Sequence, residues 1–183
     1  MKFKQAEIPG LIICEPKILR DKRGFFCENF RKDLLENFYG QNINFCQDNI
    51  SESKYGVLRG LHFQIQPYAQ SKLVSVINGK ILDVVVDIRK KSRCYGKSFS
   101  IELDDVKCNQ LFVPKGFAHG FIVLSKTAKV SYKVDELYNQ KSERGINYND
   151  KFLKIDWKIP KEHIILNDRD KNNPQFDLDY YFE

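Results

Sequence analysis

An Asn-Gly pair, Asn78-Gly79, stands between two runs rich in β-branched residues, Lys72 to Ile77 and Lys80 to Ile88. Both residues accept the positive backbone angles of a tight two-residue turn, so the pair predicts an antiparallel hairpin and with it a sheet-based fold. Further strands are expected at Val57 to Gln64, Ser98 to Leu103, Gln110 to Val113, His119 to Leu124 and Ala128 to Val134. The one amphipathic helix expected is Arg31 to Phe38, where Leu34, Leu35 and Phe38 share a face. Short strands at close spacing with little helix between them predict an all-β, antiparallel sandwich or barrel. The segment holding Trp157, Pro160, Asp168, Asp170 and Pro174 is rich in turn formers and lacks periodicity. It reads as a tail that wraps the barrel, meets a partner subunit or carries a site residue across the mouth.

Nothing in the composition argues for more than one unit. A chain of 183 residues, 42% of them hydrophobic, can bury one sizeable core. It shows no internal repeat, low-complexity tract or Gly/Ser linker, so a single domain over 1–183 is expected. No run reaches the roughly 18 apolar residues of a membrane span, and the N-terminus turns charged too early for a signal peptide; a cytoplasmic location is the expectation. The five cysteines form no closely spaced pair and read as reduced thiols. The net charge of +6 fits either a nucleic-acid face or a pocket for a phosphorylated small molecule. Scattered lysines without interleaved aromatics argue against nucleic acid, and many of them would simply be solvated surface.

Absent motifs narrow the chemistry. There is no G-x-G-x-x-G, no G-x-x-x-x-G-K-[ST] and no G-x-S-x-G, so dinucleotide, P-loop and acyl-serine readings lack support. Of the three histidines, His62 and His119 sit in expected strands beside glycines, in L-R-G-L-H-F-Q and P-K-G-F-A-H-G-F. Glycine beside a strand histidine marks close approach of a ligand or another backbone. Both could equally be hydrogen-bonded core histidines. Arg59, three residues before His62, together with Lys72 and Tyr132, favours a site. A metal centre is the rival: P-K-G-F-A-H matches half of a metal-binding cupin motif. The other half is missing, since Gln64 stands where a second histidine would follow His62, and two histidines alone do not fill a coordination shell.

Taken in order, D-x-R-G-F-F (Asp21 to Phe26), Q-D-N (Gln47 to Asn49), L-R-G-L-H-F-Q, Q-S-K-L-V, D-V-V-V-D-I-R, V-P-K-G-F-A-H-G-F and Y-K-V resemble the dTDP-4-dehydrorhamnose 3,5-epimerase family. The resemblance is collinear from about Pro9 to Asp170. It implies a cupin-like jelly-roll β-barrel with a few short helices. The implied reaction inverts C3 and C5 of a 4-keto-6-deoxyhexose carried on a nucleoside diphosphate. Both carbons flank the ketone, so the task needs a base, an acid on the opposite face and a stabiliser for the enolate oxygen. It needs no redox cofactor or metal, and none is expected.

The resemblance also implies roles. His62 would be the base and Asp170 its carboxylate partner, with Asp168 the competitor for that place. Lys72 would lie beside the C4 oxygen, and Tyr132 would be the acid; its bland reading is an aromatic pair with Tyr138 inside the sheet. Arg23 and Arg59 would hold the diphosphate, because guanidinium forks suit phosphate oxygens. Phe26 would stack on the base. Glu28, Gln47, Asn49, His119, Tyr138, Glu143 and Arg169 match further substrate contacts, and Asp83 would stand behind His119. Arg169 replaces the family's usual lysine. Glu28 and Glu143 could be plain surface charges. The family's homodimers, with exchanged N-terminal segments, imply that D-x-R-G-F-F serves a neighbouring subunit's pocket. The alternatives are a 3- or 5-epimerase for another nucleotide-linked 4-keto sugar (for example GDP-linked), an idle cupin-like sugar-binding scaffold, and a metal-dependent cupin oxygenase.

Overall fold

The computed structural model describes residues 1–176 and shows two facing antiparallel sheets with little helix. Residues 177–183 of the expected domain lie outside the described residues. The first sheet runs β1 (Lys2–Gln5), β2 (Ile12–Glu15), β10 (Gln110–Val113), β7 (Lys72–Asn78), β12 (Thr127–Val134) and β5 (Gln47–Lys54). The second runs β13 (Glu143–Gly145), β6 (Leu58–Gln64), β11 (Phe117–Val123), β8 (Lys80–Asp87) and β9 (Ser98–Asp104). A separate hairpin pairs β3 (Ile18–Asp21) with β4 (Gly24–Cys27). The helices are α1 (Lys32–Tyr39) and the single-turn α2 (Asp168–Lys171). The all-β, cupin-like expectation holds, although the sheets stay open at their edges and do not close into a continuous barrel.

Three apolar layers explain the strand patterns. Between the sheets, Val74, Val76, Leu111 and Val130 meet Ile81, Val85, Leu103, Phe121 and Val123. The outer face of the first sheet is covered by α1, whose Leu35 packs with Ile12, Leu73 and Phe112. The outer face of the second is covered by the C-terminal segment, where Ile146, Leu153 and Trp157 pack on Leu82, Val84, Val86 and Ile122. Every residue of β8 after Lys80 is therefore buried. Its run I-L-D-V-V-V-D lacks the alternation of a half-exposed strand because both of its faces are covered.

The expected hairpin at Asn78-Gly79 is corrected. The flanking strands form, but β7 lies in the first sheet and β8 in the second, and they do not pair. The turn is a corner between layers. Gly79 has φ +84°, and a Cβ there would lie 2.2 Å from the Thr127 carbonyl oxygen. The Asp105 carboxylate accepts the Gly79 N–H at 2.9 Å, and Ser125 Oγ accepts the Lys80 N–H at 2.8 Å. Turn chemistry therefore selected a positive φ, while the apolar faces of the two strands selected different partners.

Strands β1 to β5 and β13 escaped the sequence reading. In β5 the reason is inversion: Ile50 is 69% exposed, while the polar residues Gln47, Asn49, Ser51 and Ser53 occupy the less exposed face.

Candidate active site

A cavity of about 170 Å³ opens between the sheets, lined by Ser51, Arg59, His62, Lys72, His119, Phe121, Tyr132, Asn167 and Asp170. Strand β6 supplies Arg59 and His62, β11 His119 and Phe121, β7 Lys72, β12 Tyr132 and β5 Ser51; the segment around α2 adds Asn167 and Asp170.

Arg59 and His62 are three residues apart, which in a regular strand would put them on opposite faces. The register resolves this: His62 faces His119 and Arg59 faces Phe121, so three steps on β6 match two on β11. The additional residue is a bulge, which turns both side chains into the cavity. Gly60, at φ +140°, lies within the bulge, and a Cβ on it would fall 2.5 Å from Gly120 Cα. The glycines beside both histidines therefore permit two backbones to touch.

His62 Nε2 meets Asp170 Oδ1 at 2.6 Å. Asp170 is 1% exposed, and its other oxygen accepts the Gly60 N–H at 3.3 Å. Asn167 caps α2 by accepting the Asp170 N–H at 2.7 Å, which fixes the carboxylate in place. Asp168, the competitor, is exposed and pairs with Lys171 at 3.4 Å. With Nε2 engaged, His62 Nδ1 is the nitrogen left for chemistry. His119 is built alike, its Nε2 on the buried Asp83, whose second oxygen has no partner among the described residues. His163, exposed and edge-on to Tyr55, is elsewhere.

Burial pushes the Lys72 ammonium down to about 8, against the opposing pull of Asp83 and Glu143. No carboxylate of the described residues lies within ion-pair distance of it, so its charge remains available to a ligand. Burial raises the Tyr132 phenol, partly offset by Arg59, so it carries its proton at neutral pH. Beside the cavity, Glu143 accepts from Tyr138 Oη at 2.6 Å and from Arg169 at 2.7 Å. Burial alone would raise the Glu143 carboxyl, but these two donors hold it below its ordinary value. Tyr138 is 56% exposed and outside β12, so the aromatic pairing with Tyr132 in the sheet does not form.

Gln47 and Asn49 continue the inward face of β5 and bond to each other at 2.8 Å. Gln47, Asn49, Tyr138, Glu143 and Arg169 do not line the cavity, and three more of the expected contacts are held elsewhere in the chain. Arg23 and Phe26 line a separate cleft on the β3–β4 hairpin, with Arg23 paired to Asp21 at 2.6 Å. Glu28 pairs with Arg31 at 3.4 Å. Ser51, Phe121 and Asn167 were missed by sequence reasoning; Asn167, three residues before Asp170 and directly before α2, carried a legible N-cap signal. Among the described residues no group of three or more His, Cys, Asp or Glu side chains is arranged to hold a metal ion.

Chemically, the cavity offers an imidazole held by a buried carboxylate, an ammonium, a protonated phenol and a guanidinium within one space. Residues 5–177 match the family model described as dTDP-4-dehydrorhamnose 3,5-epimerase. The chain is 46% identical to the dTDP-4-dehydrorhamnose 3,5-epimerase of Shigella flexneri, over 99% of both chains. Its structure is similar to that of the same-named enzyme from Elizabethkingia anophelis, with TM-score 0.93, 47% identity and 96% of each chain covered. It is similar also to a dTDP-6-deoxy-D-glucose-3,5-epimerase from Legionella pneumophila, solved in complex with dTDP-4-keto-L-rhamnose. There the TM-score is 0.92 and the identity 42%, covering 98% of this chain and 93% of the other.

Proposed function

Because the chain belongs to the dTDP-4-dehydrorhamnose 3,5-epimerase family, we propose that it converts dTDP-4-dehydro-6-deoxy-D-glucose to dTDP-4-dehydro-L-rhamnose, in the cytoplasm, for surface polysaccharide synthesis. The observation that carries the reading is the His62–Asp170 pair facing Lys72 and Tyr132 across one cavity. His62 Nδ1 removes the proton from C3 and, in a second round, from C5. Asp170 keeps the remaining proton on Nε2 and stabilises the imidazolium that forms. The Lys72 ammonium offsets charge on the C4 oxygen as the enolate develops; in a site shielded from water this counts for more than at a surface. Tyr132 returns a proton from the opposite face, for which a phenol raised by burial is suited. Arg59 binds the diphosphate, and His119, Gln47, Asn49, Tyr138, Glu143 and Arg169 contact sugar or nucleotide. No metal or cofactor takes part.

The working unit is a homodimer in which the β3–β4 hairpin completes a neighbour's pocket with Arg23, Phe26 and Glu28. Two features support this. The hairpin forms a sheet of its own, with Arg23 and Phe26 lining a cleft away from the cavity. Leu19, Phe25 and Phe26 on it and Ile50 on the edge strand β5 are all at least half exposed, and apolar surface of that kind marks a contact. The polypeptide forms one domain.

The test is proton NMR in deuterated water with dTDP- and GDP-linked 4-keto-6-deoxyglucose. Deuterium should enter at both C3 and C5 of the dTDP sugar, and His62→Ala should abolish both exchanges. Exchange retained at either carbon would rule out a single base. Faster exchange of the GDP sugar would favour an epimerase for another nucleotide-linked 4-keto sugar, and exchange at one carbon only would favour a 3- or 5-epimerase.

A further inference from the structure

The inward face of β5 is polar where a strand of this position would ordinarily be apolar. Most of its polar side chains are accounted for. Gln47 Nε2 donates to Asn49 Oδ1 at 2.8 Å, and Ser53 Oγ accepts from Arg59 Nε at 3.1 Å. Between them stands Ser51, a residue of the cavity lining, whose hydroxyl oxygen is buried and has no hydrogen-bond partner among the described residues. Buried hydroxyls are almost always satisfied, so one left open on a cavity wall points to a ligand atom.

The register says which part of a ligand passes over it. On β12, Ser51 faces Val130, Asn49 faces Tyr132 and Ser53 faces Ala128. Ser51 therefore lies between the Ser53–Arg59 contact, at the phosphate-binding end, and Tyr132, at the reacting carbons. In a nucleotide sugar, the atoms between those ends belong to the phosphate attached to the sugar. The adjacent Arg59 and Lys72 favour an anionic oxygen there, and a serine hydroxyl can donate to one without adding charge.

We propose that Ser51 is a substrate-binding residue whose hydroxyl donates a hydrogen bond to an oxygen of the sugar-proximal phosphate; this rests on the nucleotide-sugar reading above. The role belongs to binding, so it is uniform between ground and transition states.

Calorimetric titration of wild type and Ser51→Ala with thymidine diphosphate and thymidine monophosphate tests it, because only the diphosphate carries the phosphate in question. The substitution should weaken thymidine diphosphate about tenfold, the scale of one hydrogen bond to a charged group. Thymidine monophosphate should bind unchanged, and with the sugar substrate KM should rise while kcat holds. An unchanged melting temperature would show that the loss is not misfolding. Equal diphosphate binding by both proteins would overturn the proposal. A rise in KM without loss of diphosphate binding would assign the hydroxyl to the sugar and overturn it too. A wild-type chain that bound no thymidine diphosphate would overturn both this proposal and the functional reading beneath it.

Discussion

Replacing Asp170 by Asn probes the support of the proposed base, His62, without changing the shape of the side chain that holds it. The carboxylate is buried, 2.6 Å from His62 Nε2, and also accepts the Gly60 N–H. In Asp170→Asn the amide has one oxygen for two donors. If that oxygen stays with Gly60, the amide NH₂ faces Nε2 and forces the imidazole proton onto Nδ1, the nitrogen proposed to accept the substrate's proton. If the amide flips, its NH₂ opposes the Gly60 N–H inside the protein. In either orientation the charge that stabilises the imidazolium is gone. A charge-assisted hydrogen bond contributes about 1.5–3 kcal/mol, which at about 1.4 kcal/mol per tenfold is a loss of roughly 10- to 150-fold in kcat. The wrong tautomer would deepen it. KM should change little, because the carboxylate is buried and engaged by His62 and Gly60. The assay is initial-rate deuterium incorporation at C3 and C5 by NMR, with thermal unfolding as a check on the fold. A folded Asp170→Asn protein exchanging within a factor of about three of wild type would refute the pairing as a catalytic device, since that is below the smallest loss expected here.

Three further outcomes are expected. Lys72, pushed down to about 8 by burial, loses its proton as pH rises through that value, so the exchange rate should fall on the alkaline side. Lys72→Arg should move that fall to higher pH, and an unmoved limb would assign it to another group. Tyr132→Phe removes the proposed acid while leaving the proposed base, so C3 and C5 deuterium exchange should continue while formation of inverted product drops by about 10²-fold or more; equal loss of both would count against separate roles. Gly60→Ala places a Cβ 2.5 Å from Gly120 Cα at φ +140°. It should cost at least about 2 kcal/mol, seen as a melting temperature lower by about 4–8 °C or more; an unchanged melting temperature would show that the bulge relaxes freely.

Most strands of the two sheets were legible because their residues obey local rules: β-branched runs, alternation and turn formers at the ends. The helix α1 was legible for the same reason, with its boundary shifted by one residue. Strand β5 was not. Its polar inward face serves the cavity, so the pattern that identifies strands elsewhere is inverted there, and Ser51 stayed hidden with it. Polar residues on an inner face violate a folding rule where a site needs them. Among candidate residues, Arg59, His62, Lys72, His119, Tyr132 and Asp170 converge on one cavity, whereas Arg23, Phe26 and Glu28 do not reach it within a chain. Sequence order says nothing about which chain's pocket a segment serves.

The Asn78-Gly79 turn marks the division between the two sources of information. The sequence determined, by itself, that the chain reverses there, because a positive φ at Gly79 is a local steric property. Only the tertiary structure decided that the strands on either side go to different sheets, because that depends on where each apolar face finds its partner. The site divides in the same way. Local sequence marked His62 as a strand histidine beside a tight glycine contact. Its pairing with Asp170, 108 residues away, and its placement beside Arg59 through a bulge arose from packing. Such contacts join residues that no local rule links, so they exist only once the sheets have assembled.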